Sequence, residues 1–266
     1  MKNQEAVGIF DSGIGGLTVM KQIASLLPEE NIVYFGDTAR VPYGGKSPET
    51  IVRYSIENTI FLLEQNIKVL VVACNTASAY AMQKLQKLFN IPVIGVIEPG
   101  AEKAVQMTKN KRIAVLGTKG TIQSGVYSQE IKKKAPDSFI LPISCPLFVP
   151  LVEESFIFHP AAKLIIKEYL APIKQENIDT ILLGCTHYPL LKEMIQQEVG
   201  EDVAVVDSAS ICAETLKNLL LEEKLINYTS LPSSYRYFVS DDPEKFASLG
   251  SYFLDSSLKD VSLKKH

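Results

Sequence analysis

The run Lys68-Val69-Leu70-Val71-Val72-Ala73 carries no alternation of polar and apolar positions. A strand with one face in water alternates, so this run belongs to a parallel strand covered on both faces. It leads straight into Cys74-Asn75-Thr76, after which Met82, Leu85, Leu88 and Phe89 fall at helical spacing. The same rhythm begins at Val7-Gly8-Ile9-Phe10, which ends at Asp11-Ser12-Gly13 and is followed by helically spaced Leu17, Met20, Ile23, Ala24 and Leu27. Further strands are expected at Asn31–Phe35, Val93–Val96, Arg112–Leu116, Phe139–Leu141, Asp179–Leu183 and Val203–Val206. Gly36 to Lys46 reads as a long polar loop, and Ser47-Pro48-Glu49 as a helix start, with a capping serine, proline at the first position and an acid in the first turn. Strands alternating with helices predict an α/β fold of mainly parallel sheets flanked by helices. Right-handed crossovers then bring the carboxyl ends of the strands to one rim, where ligands bind.

A weak internal repeat divides the chain. Ser12 precedes Cys74 by 62 residues, and Thr118 precedes Cys185 by 67, each hydroxyl following one apolar strand and each cysteine ending another. After each cysteine come a helix, a strand and an acid, Glu98 or Asp207. The expected organisation is two similar lobes with an active site in the cleft between them. One lobe is discontinuous, residues 1–98 plus 208–266, and the other is residues 99–207. The segment from Ala209 onward is expected to pack back on the first lobe.

Hydrophobic residues make up 46 % of the 266 and charged residues 21 %, an ordinary globular balance. With a net charge of −3 there is no electrostatic case for nucleic acid. The one basic cluster, Lys264-Lys265-His266, reads as a solvated tail. No apolar run reaches the roughly 18–20 residues that span a bilayer, and Met1-Lys2-Asn3-Gln4-Glu5 lacks the apolar core of a signal peptide. Four scattered cysteines without a CxxC pair suit the cytoplasm, where thiols stay reduced.

Each of those cysteines is therefore buried filler, a metal ligand or a catalytic thiol. Cys212, on an apolar-patterned helix, and Cys145, with no acid–base partner nearby in sequence, are read as filler. Cys74 and Cys185 each end an apolar strand before a helix and precede a hydrogen-bonding pair, Asn75-Thr76 or Thr186-His187. A helix N-terminus favours the thiolate, so both thiols are expected to ionise more readily than a free one. Zinc is disfavoured because Cys185 and His187 are too close in sequence and no second ligand pair exists. A Cys–His hydrolase or transferase would leave Cys74 and the repeat unexplained, and a redox pair would need the two sulfurs within disulfide distance. Gly13-Ile14-Gly15-Gly16-Leu17-Thr18 fails the dinucleotide fingerprint at Thr18. It is read either as a plain turn or as a backbone cradle for a carboxylate. Ser12, Asn75, Thr76, Thr118, Thr121 and Thr186 all sit at strand ends or helix starts and can converge on a small polar anion.

Five motifs taken together resemble those of the bacterial glutamate racemases. They are Phe10-Asp11-Ser12-Gly13-Ile14-Gly15-Gly16, Tyr34-Phe35-Gly36-Asp37, Val41-Pro42-Tyr43-Gly44, Ala73-Cys74-Asn75-Thr76-Ala77 and Leu183-Gly184-Cys185-Thr186-His187-Tyr188-Pro189. The cysteine motifs alone would indicate only the wider aspartate/glutamate racemase superfamily. The resemblance implies interconversion of L- and D-glutamate without a cofactor or metal, supplying D-glutamate for peptidoglycan. One thiolate would remove the α-proton while the other thiol delivers a proton to the opposite face. By that resemblance Cys74 acts on D-glutamate and Cys185 on L-glutamate. Asp11 stands beside the first cysteine, His187 beside the second, and Glu153 as an auxiliary carboxylate. Glutamate binding maps onto Asp11, Ser12, Tyr43, Gly44, Asn75, Thr76, Thr186 and His187, with Thr118 and Thr121 as additions. A cytoplasmic enzyme is implied, a homodimer or a monomer since family members differ in how they dimerise, with no membrane and no required nucleic acid. The competing readings are an aspartate racemase or other superfamily isomerase, and a glutamate-binding regulatory protein whose thiols are inert.

Overall fold

A computed structural model describes residues 2–229 and 232–264, so Lys265 and His266 of the basic tail lie outside the described residues. The strands are β1 (Ala6–Asp11), β2 (Ile32–Gly36), β3 (Ile67–Val72), β4 (Val93–Gly95), β5 (Arg112–Gly117), β6 (Phe139–Ser144), β7 (Thr180–Gly184), β8 (Ala204–Asp207), β9 (Tyr235–Val239) and β10 (Val261–Leu263). They form two sheets, one in the order β10-β9-β2-β1-β3-β4 and the other β6-β5-β7-β8. Every pairing is parallel. The central strands β1, β2, β3 and β7 are buried at every position, which is why they read as unbroken apolar runs. Helices cover both faces of each sheet.

The helix Leu17–Leu26 buries Leu17, Val19, Met20 and Ile23. The helix Pro48–Glu64 starts as expected, with Ser47 Oγ accepting from the Thr50 amide. Strand β6 runs further than the apolar run alone suggests, because Phe139–Ser144 pairs residue by residue with Arg112–Gly117. Pro142 is tolerated there because β6 is an edge strand. The segment after Ala209 contributes a helix, Ala209–Glu222, and the two outer strands β9 and β10 of the larger sheet.

Two expectations are corrected. Gly36 to Lys46 is not an open polar loop but two short 3₁₀ turns, Thr38–Arg40 and Tyr43–Gly45, with Asp37 and Tyr43 buried. The burial is possible because the Asp37 carboxylate is satisfied. It accepts from Arg40 Nε at 2.8 and 2.9 Å, from Ser240 Oγ at 2.9 Å and from the Tyr43 hydroxyl. Lys264 is not simply solvated, since its Nζ lies 3.6 Å from Glu64 Oε2 and 4.8 Å from the Phe61 ring centre. No described helix is long and apolar enough to cross a membrane.

Candidate active site

The carboxyl ends of β1, β3, β5 and β7 carry Asp11-Ser12, Cys74, Thr118 and Cys185 respectively. Ser12, Cys74, Thr118 and Cys185 line one small cleft between the two sheets' rims. One side supplies Ser12, Tyr43, Gly44, Cys74, Asn75 and Thr76, and the other Thr118, Cys185, Thr186 and His187. Val41, Pro42 and Val149 complete the wall with apolar surface. Sequence reasoning singled out the polar members; it missed Val149, which lies in a short helix, Phe148–Glu153, with no motif around it. The two sides touch. A Cβ added to Gly44 would lie 2.6 Å from Thr118 Cβ, so only glycine permits this approach. Thr76 Oγ1 lies 2.9 Å from Thr118 Oγ1 and 3.0 Å from Thr121 Oγ1. Thr121 thus stands behind the wall rather than in it.

Cys74 and Cys185 are both buried yet both line this one cleft. Their surroundings differ, contrary to the equivalence suggested by the repeat. Cys74 is the N-cap of the helix Asn75–Leu88. Cys185 is followed by a turn and the 3₁₀ segment Tyr188–Leu191, so it does not cap an α-helix. The expected lowering of the Cys74 pKa is overturned. Burial and the nearby Asp11 charge push it up to about 12, although the Ala77 amide and the Ser12 hydroxyl pull the other way. Desolvation of a small anion outweighs one helix terminus.

Cys185 has a different partner. His187 Nδ1 lies 3.9 Å from its Sγ, and His187 Nε2 lies 2.9 Å from Glu153 Oε1. Burial alone would push the imidazole pKa down, but the hydrogen bonds to Cys185 and Glu153 outweigh it and hold it at about 10. The Phe253 ring meets the imidazole edge-on at 6.0 Å. Glu153 does not line the cleft; it stands behind His187.

Asp11 also stands behind the wall. It accepts from the Gly13 amide at 2.9 Å and from Thr186 Oγ1 at 3.3 Å. The glycine-rich turn therefore cradles a carboxylate, as one reading allowed, but it is the chain's own Asp11. Burial raises the Asp11 pKa, against the lowering effect of His187 and the Gly13 and Gly16 amides.

Asn75 is the one member of the cleft with an open valence. Its side chain is buried, and among the described residues Nδ2 has no hydrogen-bond partner. An orphaned buried donor costs free energy unless a ligand satisfies it, so it marks where an acceptor belongs. Hydroxyls, amides and two thiols around one small cleft suit a small, polar, anionic molecule. Cys145 and Cys212 are buried in the apolar core. Among the described residues, no group of three His, Cys, Asp or Glu side chains is placed to hold a metal ion.

Comparison with known proteins agrees with this geometry. The profile of the Asp/Glu/Hydantoin racemase family matches residues 8–216. A glutamate racemase of Geobacter metallireducens is 50 % identical over 257 residues, covering 97 % of this chain and 95 % of that one. Among solved structures, a glutamate racemase isoform from Bacillus anthracis superimposes with a TM-score of 0.95 at 37 % identity, covering 99 % of this chain and 98 % of that one. A glutamate racemase from Francisella tularensis in complex with D-glutamate gives a TM-score of 0.92 at 39 % identity, with the same coverage.

Proposed function

The chain belongs to the Asp/Glu/Hydantoin racemase family, and on that premise we propose that it interconverts L- and D-glutamate by proton transfer between Cys74 and Cys185. The observation that carries the reading is the presence of two thiols, from strands of different sheets, in the wall of one cleft. A planar carbanion must be reprotonated from the face that did not lose its proton, so racemisation needs a group on each side.

The two environments divide the work. Cys74, held as a thiol by burial, carries the proton to be donated. Cys185, beside an imidazole held cationic, acts as the base toward L-glutamate. The Cα–H proton of L-glutamate passes to the Cys185 sulfur, and its electron pair stays on carbon. Cys74 then gives its proton to the opposite face, which yields D-glutamate and leaves the anionic charge on Cys74. The reverse reaction starts from that state and restores the first. His187 stabilises charge at Cys185, and Glu153 orients His187. Asp11 and Ser12 flank Cys74. Asn75, Thr76, Thr118 and Thr186 offer donors to the substrate carboxylates, and Tyr43 and Gly44 close the cleft over it. The carbanion is stabilised by dipoles fixed in a site from which water is excluded.

With this activity goes a role in supplying D-glutamate for peptidoglycan, in the cytoplasm. We assign the catalytic cleft to the junction of residues 1–98 and 208–266 with residues 99–207. Each part so divided contains one of the two sheets. A homodimer is the proposed assembly, checked by sedimentation.

The test is incubation of reduced protein with L-glutamate in D₂O and no added cofactor, with aspartate in parallel. Labelled D-glutamate supports the proposal. Binding without isotope exchange would favour a regulatory glutamate-binding protein, and exchange of aspartate alone would favour an aspartate racemase. Cys74→Ala and Cys185→Ala should each lower turnover by at least about 10³ while the far-ultraviolet spectrum stays unchanged.

A further inference from the structure

Tyr127 lies outside every motif read from the sequence, and its side chain does not line the cleft. It opens the helix Val126–Lys134, which follows the left-handed Gly125. Its ring is buried among Ile97, Ala101, Ile131 and Leu182. Yet its hydroxyl reaches out of this cluster to Asn75, donating to Oδ1 at 2.6 Å. Asn75 opens the helix that begins after Cys74.

The position of Tyr127 is enforced by two glycines. A Cβ on Gly184, the residue before Cys185, would lie 2.9 Å from Tyr127 Cε2. A Cβ on Gly100 would lie 3.3 Å from the Tyr127 hydroxyl and 3.0 Å from Ser208 Cβ. One tyrosine thus touches the strand end that carries Cys185 and the helix start beside Cys74. It also sits beside the segments around Gly100 and Ser208, where the chain passes between the two sheets.

The hydrogen bond along this path has a direction. Tyr127 gives its hydroxyl proton, and Asn75 presents Oδ1 to receive it. The Asn75 amino group, the donor with no partner, is what remains for an occupant of the cleft. Turned by 180°, the same carboxamide would offer a carbonyl oxygen to an anionic carboxylate, replacing attraction by repulsion.

We propose that Tyr127 is a positioning residue that acts through Asn75, fixing its carboxamide with the amino group toward a substrate carboxylate. This rests on the glutamate reading, and the experiment separates the two. In Tyr127→Phe, which removes one oxygen and keeps the ring, KM for both enantiomers rises about tenfold while kcat stays within about threefold. In an Asn75→Ala background, loss of the Tyr127 hydroxyl changes glutamate affinity, read by calorimetry, less than twofold. A wild-type KM in folded Tyr127→Phe overturns the proposal, as does an undiminished effect in the Asn75→Ala background. If Tyr127→Phe does not fold, Asn75→Asp keeps the acceptor for Tyr127 and replaces the free amino group by a second acceptor, so KM rises at least as far as in Asn75→Ala; a wild-type KM there overturns the proposal. A further readout needs no substrate: the side-chain ¹⁵N resonance of Asn75, assigned by its loss in Asn75→Ala, shifts in Tyr127→Phe. An unmoved resonance overturns the link. A wild type that ignores glutamate while that resonance shifts defeats only the glutamate reading.

Discussion

Glu153 Oε1 lies 2.9 Å from His187 Nε2, so the other ring nitrogen, Nδ1, is the one turned toward Cys185 Sγ at 3.9 Å. The carboxylate is partly exposed and the imidazole buried, which places the charge-stabilising partner at the outer end of the chain. Replacing Glu153 by Gln keeps a hydrogen bond and removes the charge. The expected result is a roughly tenfold fall in kcat/KM, with the alkaline limb of the activity profile moved to lower pH because the imidazolium has lost support. His187→Asn should cost about 10²-fold or more. Steady-state profiles of both variants from pH 6 to 10 check this, and a Glu153→Gln limb that stays in place would refute the assignment.

Stability should fall as pH rises. His187 is protonated in the folded protein up to about 10, against 6.5 ordinarily. Its contribution is therefore complete below pH 6.5 and is lost as pH climbs through the folded value. Burial raises Cys74 and Cys212 from 9.0 to about 12. The unfolded chain releases those thiol protons first, so unfolding gains free energy with each pH unit above 9. Thermal melts should show a shallow decline from pH 6.5 to 9 and a steeper one beyond. His187→Asn should flatten the first part, and Cys212→Ala should reduce the second. A flat profile up to pH 10.5 would contradict both.

The contact between Gly44 and Thr118 predicts a binding defect from a single methyl group. In Gly44→Ala the new carbon would start 2.6 Å from Thr118 Cβ, which is not the end of a flexible side chain. The cleft must open to relieve the contact. KM for both enantiomers should rise by about tenfold or more, while the stability loss stays near 1–3 kcal/mol, typical of overpacking. An unchanged KM would show that closure over Tyr43-Gly44 is dispensable.

Far from the cleft, Lys68 and Glu30 form a buried ion pair, and Lys68 Nζ also donates to the carbonyls of Asn3 at 2.7 Å and Leu225 at 2.8 Å. Glu30 Oε1 accepts from the Asn227 amide at 2.7 Å. Removing one partner strands a buried charge, so Lys68→Met should cost about 3–5 kcal/mol. Adding Glu30→Leu should recover part of that loss. Denaturant unfolding measures both, and activity per folded molecule should be unchanged.

Much of this architecture was legible in the chain. The strands buried on both faces announce themselves as apolar runs, and Ser47-Pro48-Glu49 marks a helix start by purely local chemistry. The outer strands β9 and β10 gave no such signal. Tyr235 and Arg236 are exposed, and their strand exists because β2 offers it an edge some 200 residues away in sequence. Asp37 looked like a loop residue because its burial depends on Tyr43 folding back from the next turn and on Ser240, 203 positions away.

What the sequence determined by itself was therefore the order of the first eight strands with their helices and which two thiols line the cleft. Those rest on short-range periodicity and on motifs a few residues long. The tertiary structure decided how those thiols differ and how Asn75 is aimed. A buried group's proton affinity depends on water excluded by the whole fold. A hydrogen bond from Tyr127 to a residue 52 positions earlier depends on two sheets meeting.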